Sequence, residues 1–162
     1  MKIKEISIFK TMRHMETVRN YLNTVVKEIL FRGEHHDQTK LQTPEIEIFD
    51  KYTKELRGIT YGSTEYKKCM KKLKPAVEHH HANNRHHPEH HVNGIKDMTL
   101  IDLIELICDW KAASMRHNDG NLLKSIEINQ KRFKYSNEVN QILINTAIWL
   151  DSQQTIHHAK ES

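Results

Sequence analysis

The sequence predicts an all-α protein, a single helical bundle domain, and three observations lead there. Glycine and proline are scarce, 5 and 3 in 162 residues, too few for a turn-rich β architecture. Apolar residues recur at three- and four-residue steps in one segment after another. Residues that start and stop helices bracket those segments. About six or seven helices are expected from the usual helix length.

The elements follow in chain order. Met12, Met15, Val18, Leu22, Val25, Val26, Ile29 and Leu30 mark an amphipathic helix, with Gly33 as its expected C-terminal cap. His14 precedes Val18 by four and is placed on the same inward face. The one candidate strand is Ile6 to Phe9. Glu34 to Lys40 reads as a short helix or turn. Thr43-Pro44-Glu45 is a helix start, a hydroxyl followed by proline at the first position. That helix carries Ile46, Phe49, Tyr52 and Leu56 to Gly58. A polar loop at Tyr61-Gly62-Ser63 leads to a helix from Thr64, which Pro75 kinks or restarts. Thr99-Leu100-Ile101-Asp102 is a capping box with Asp in place of Glu. It opens a helix with Leu103, Ile104, Ile107 and Trp110 that closes at Asn118-Asp119-Gly120. Two further helices run from Leu122 to Phe133 and from Asn137 to Leu150, the second capped by Ser136. The domain spans 1–150, and a polar tail of 151–162 is expected to fray.

Composition narrows the function. A formal charge of +4 with signs mixed along the chain suits a small anionic substrate. It lacks the concentrated basic stripe of a nucleic-acid binder, and 7% aromatic residues argue against a base-stacking platform. No apolar run approaches a membrane span. Cys69 and Cys108 form no Cys-x-x-Cys pair, so neither a disulfide frame nor a structural zinc site is expected. With no secretory apolar stretch after Met1, a cytoplasmic protein is predicted. There is no glycine-rich phosphate loop and no nucleophile elbow.

Histidine carries the chemistry. Seven of the 13 histidines lie between His79 and His91. Imidazole and carboxylate are the donors that hold divalent transition metals: Mn, Fe, Co, Ni or Zn. In chain order the candidates are His14, the doublet His36-Asp37, His80, the pair His86-His87, and Asp109. Each lies on a different helix or helix end, so a bundle can bring them to one point. His79, His81, His90 and His91 cannot all face the same centre. Asp102, Glu105 and Asp109 share one side of their helix, and a carboxylate buried there needs a cationic partner, either a metal or a histidine.

This ordered set resembles the HD-domain phosphohydrolase superfamily. The resemblance rests on His-His-Asp-x-x-Lys at 35–40, on His-x-x-x-Asn-Arg-His-His-Pro-Glu-His at 80–90, and on Cys-Asp-Trp-Lys at 108–111. It covers about residues 12–135 and is most similar to a phage and bacterial HD-like subgroup. It implies an all-helical fold and metal ligands at His14, His36, Asp37 and Asp109. Two-metal members add histidines that correspond to His80 and to His86 or His87, so one or two ions are expected. No Gly-Tyr-Pro follows the histidine pair, which argues against cyclic dinucleotides.

Phosphate then needs cations outside the metal ligands. Lys40, one turn beyond Asp37, and Arg85 are the first candidates; Lys111 and Arg116 follow. Asn84 orients a water or hydroxyl, or caps a helix end. Glu45 reads first as a helix-start residue favoured by the dipole, and otherwise as an acceptor behind the ligands or a general base. The resemblance sets Asp119, Lys131 and Arg132 at the border of the substrate pocket. The expected function is metal-dependent hydrolysis of a nucleotide or other small phosphate ester. The alternatives are a noncatalytic metal-binding module and a di-iron oxygenase of the same ligand set. Oligomeric state stays open.

Overall fold

The computed structural model describes residues 2–56, 63–115 and 120–160. Among them are six α-helices, three short 3-10 turns and no strand. The protein is all-α. The helices are α1 (Lys2–His35), α2 (Glu45–Leu56), α3 (Thr64–Asn83), α4 (Leu100–Ser114), α5 (Leu122–Phe133) and α6 (Asn137–Lys160). The chain divides into two compact units, 1–36 and 37–162.

The first unit is α1. Its 34 residues contain no proline and a single glycine, so nothing in the backbone interrupts it. Ile6 to Phe9 is helical, not a strand; four apolar residues flanked by helix-forming sequence extend an existing helix more readily than they seek a pairing partner. Gly33 does not end α1 either, which runs on to His35. A Cβ there would meet nothing within 4 Å, so no close approach demands glycine. Thr11, Thr17 and Thr24 donate their hydroxyls to the carbonyls of Ser7, Arg13 and Asn20, and Arg32 pairs with Glu28 at 2.8 Å. Met15, Val18 and Leu22 are exposed, and so is His14; the expected burial of this face is not met.

The second unit holds a core among α4, α5 and α6. Ile107, Leu122, Ile126, Leu143 and Ala147 are buried together, with Trp110, Phe133 and Leu150 packed against them. The Tyr135 hydroxyl donates to the Ile126 carbonyl at 2.7 Å. Burial pushes its pKa up to about 12, because the phenolate would lose water without gaining a cation. α4 opens with the expected capping box: Thr99 accepts from the Asp102 amide, and Asp102 accepts from the Thr99 amide. Asn121 caps α5 by accepting from the Lys124 amide. Ser136 accepts from the Val139 amide at the start of α6. α6 continues as helix past the expected end at Leu150 to Lys160.

α2 packs on α3, with Cys69, Leu73 and Ala76 buried. Helix α3 passes through Pro75 without restarting; the ring removes one backbone donor there. The expected positions Gly58, Tyr61, Gly62, Arg116, Asn118 and Asp119 lie outside the described residues.

Candidate metal centre

Four segments of the second unit build the centre: Asp37 with the 3-10 turn Gln38–Leu41, the start of α2, the end of α3 with the chain just beyond it, and α4. Asp37 itself adopts φ 57° and ψ 15°, the left-handed region. Asp tolerates that region better than most residues, at an order-of-magnitude cost of about 1–3 kcal/mol. The bend turns the chain sharply, and Lys40 then reaches back to place Nζ 2.5 Å from Asp37 Oδ2.

The end of α3 supplies the imidazoles. His80 and Asn84 stand one turn apart, and the Asn84 amide nitrogen donates to the His80 carbonyl at 2.7 Å and to Thr39 Oγ1 at 2.9 Å. Asn84 therefore closes the helix and ties it to the 38–41 turn. The next residues fold back, with the His87 amide on the Asn84 carbonyl. This reversal returns His86 and His87 toward His80. His80 and His86 are 4% and 2% exposed.

The donor atoms meet at Asp37. His80 Nε2 is 3.2 Å from Asp37 Oδ1, His86 Nε2 is 3.5 Å from the same oxygen, and His80 Nε2 is 2.9 Å from His87 Nε2. One donor atom from each of Asp37, His80, His86 and His87 lies within 4.8 Å of the others. Asp109 brings a carboxylate oxygen within the same distance of Asp37. Burial first, then repulsion from charge on His86, His80 and His81, pushes the His87 pKa down to about 3. The ring is accordingly neutral near pH 7, the state in which a nitrogen can ligate a metal. Toward the surface, His87, His81 and Glu89 form a second set within 4.8 Å, and Glu89 also takes Arg132 at 2.7 Å.

Behind the imidazoles stand carboxylates. Glu45 is fully buried, with Oε2 3.0 Å from His80 Nδ1 and Oε1 2.7 Å from His79 Nδ1. Glu105 Oε1 is 3.1 Å from His86 Nδ1. Glu45 is thus more than a helix-start residue: it is a buried acceptor for two histidines. Its place in the first turn of α2 favoured the helix-start reading, and the packing of α2 on α3 brings out the alternative, an acceptor behind the histidines. Glu105 was visible in sequence as a neighbour of Asp102 and Asp109, without a partner.

The other expected residues have these surroundings. Arg85 lies 3.3 Å from Asp102 Oδ2, so the buried Asp102 has an arginine beside its capping box where a metal or a histidine was expected. Lys111 pairs with Asp151. His90 and His91 contact the carbonyls of His81 and Arg85. His14 belongs to α1, and His36 is the last residue of the first unit.

The donor chemistry fits a divalent transition ion. Neutral imidazole nitrogens grouped with carboxylate oxygens match Mn, Fe, Co, Ni or Zn, whereas Mg and Ca prefer oxygen alone. Neither cysteine competes as a ligand: Cys69 is buried with its thiol toward the Tyr52 carbonyl, and burial raises the Cys108 pKa, with the Glu105 charge adding to the effect.

Comparison with known proteins then gives one result: residues 4–159 match the model of a family of unknown function, DUF5662. The chain belongs to that family. No curated protein and no solved structure matches it. The family match spans both units and includes every residue of the centre. No helix among the described residues is long and apolar enough to cross a membrane.

Proposed function

We propose that the protein is a metal-dependent phosphohydrolase of the HD type, acting on a nucleotide or another small phosphate ester. The observation that carries this reading is the meeting of Asp37 Oδ1 with the Nε2 atoms of His80 and His86, with His87 beside them. Asp37, His80, His86 and His87 would hold the ion, and Asp109 would add a second carboxylate. When bound, such an ion supplies a Lewis acid for a phosphoryl oxygen and lowers the pKa of its water. The His81–His87–Glu89 set supports a second ion, sharing His87.

Lys40 is the residue assigned to the substrate. Its ammonium rests on Asp37 Oδ2, next to the centre and without another anion in the described ion pairs. In this reading Lys40 would contact a substrate phosphate beside the centre, and Asp37 would hold the ion. Asn84, tied to Thr39 and His80, holds the turn that carries Lys40. Arg85 is half exposed and can exchange Asp102 for phosphate. A panel of nucleotides and generic phosphate esters, with Mn or Co supplied, tests the proposal. Turnover is expected, and Lys40→Ala should lower the rate by about 10²–10³ with metal still bound, the usual cost of a lost charged transition-state contact. Absence of turnover with every divalent metal would sink the enzyme reading. Turnover untouched by Lys40→Ala would sink the role given to Lys40.

One observation favours a noncatalytic metal-binding module instead. Both leading phosphate contacts, Lys40 and Arg85, already have carboxylate partners. In that reading the ion fastens Asp37 to α3, and its removal changes stability without any lost turnover. The di-iron oxygenase alternative is separated by identifying the bound metal in air and under reducing conditions.

A further inference from the structure

Each of two ligand histidines has its far nitrogen on a carboxylate. His80 Nδ1 lies 3.0 Å from Glu45 Oε2, and His86 Nδ1 lies 3.1 Å from Glu105 Oε1. The two carboxylates come from different helices, α2 and α4, so the pattern does not follow from one local turn. We propose that Glu45 and Glu105 are positioning residues of the centre: each accepts the Nδ1–H of one histidine and so turns that ring's Nε2 lone pair toward Asp37. This rests on the metal reading given above.

The physical reason is the inventory of a neutral imidazole, which has one N–H and one lone pair. A carboxylate accepts and cannot donate, and each ring faces two of them, a glutamate on the Nδ1 side and Asp37 Oδ1 on the Nε2 side; an ion taken up beside Asp37 would replace the proton on the Nε2 side and leave the Nδ1 proton to the glutamate. The lone pair is then left on Nε2, the atom that faces Asp37 Oδ1 in both rings. The Thr39 hydroxyl, 3.1 Å from His80 Nδ1, can accept or donate and does not oppose this. The Asn84 amide nitrogen is 3.0 Å from the same atom, but it has acceptors of its own in Thr39 and the His80 carbonyl. Glu45 is also the stiffer of the two devices. It is fully buried, and its second oxygen is held by His79, so it cannot rotate away from His80 without abandoning a second contact. Two inward lone pairs beside a carboxylate oxygen repel one another until a cation sits among them. Outer carboxylates of this kind fix ring orientation and raise ligand basicity in metal sites generally, and losing one typically costs about 10–100-fold in metal affinity.

The test uses the full chain, supplied with Zn(II), with ¹⁵N-labelled histidine. Long-range proton–nitrogen spectra report which ring nitrogen carries the proton. His80 and His86 are expected to carry it on Nδ1 in the wild type. In Glu45→Gln the amide offers one acceptor and one donor where the carboxylate offered two acceptors. His79 and His80 then compete, and His80 should lose its single tautomer. Glu105→Gln should do the same to His86. Each variant should bind Co(II) about 10–100-fold more weakly with an unchanged far-UV spectrum. If Glu45→Gln fails to fold, Glu105→Gln and the wild-type spectrum still decide. A proton on Nε2 of either wild-type ring, or native Co(II) affinity in a folded variant with an altered tautomer, overturns the positioning role. Wild-type rings protonated on Nδ1 in a protein that binds no divalent ion would instead overturn the metal reading and leave the ring-orienting role standing.

Discussion

The second unit contains two buried regions built on opposite principles. In the core among α4, α5 and α6 the buried groups are chiefly apolar, Ile107, Leu122, Ile126, Leu143 and Ala147; Tyr135 has a carbonyl partner, and Asp102, buried at the start of α4, has the Thr99 amide and hydroxyl. Where the end of α3 meets α2 and the 38–41 turn, the buried groups are Glu45, His80, Asn84 and His86. The first region is held by removing apolar surface from water, at roughly 25 cal/mol per Å². It is indifferent to protons and ions. The second is held by polar pairs that each need a partner, since a buried charge left alone costs several kcal/mol. The first region could be repacked with other apolar residues and still fold. The second depends on which atoms carry protons, which makes it the place for chemistry.

Substitutions in the two regions should therefore separate stability from metal binding. Asp37→Ala is expected to have the largest effect, the loss of stoichiometric metal, because it removes the oxygen on which His80 and His86 converge. Far-UV spectra should still show a helical protein, and equal metal content in wild type and variant would refute the centre. Ile126→Ala makes the opposite cut. It should cost about 2–5 kcal/mol in chemical denaturation, as buried Ile-to-Ala changes do, with metal affinity unchanged in the folded fraction. Coupled losses of stability and affinity in Ile126→Ala would show that the two regions are not independent.

Acid should act on the second region through His87, with the smallest effect. His87 titrates near the ordinary histidine value of about 6.5 when unfolded and at about 3 when folded. Below the unfolded value the unfolded chain binds the extra proton, so stability falls as pH drops from about 6.5 toward 3 and is unaffected by this group above that window. His87→Gln should flatten the acid limb of the metal-free protein. An unchanged limb would mean that His87 does not carry this proton linkage.

Much of the fold was legible because it is local. The Thr99–Asp102 box and the Ser136 cap are decided by side chains within one turn of the backbone they serve. Gly33 and Ile6 to Phe9 misled for the same reason. A glycine permits a helix end without requiring one, and a short apolar run has no preferred period of its own. The extent of α6 past Asp151 was likewise not written in the polarity of its residues.

The centre divides in the same way. The sequence by itself determined the all-helical class, the capped helix starts and the stock of imidazole and carboxylate donors, because composition and three- to four-residue spacing are properties of the chain alone. Tertiary structure decided the partners. It set Glu45 behind His79 and His80, 34 and 35 residues away, put Glu105 behind His86, gave Arg85 to Asp102, and selected His80, His86 and His87 from seven neighbouring histidines to face Asp37. Hydrogen bonds reach about 3 Å, and nothing in the order of residues states which atoms a reversal after Asn84 will bring that close.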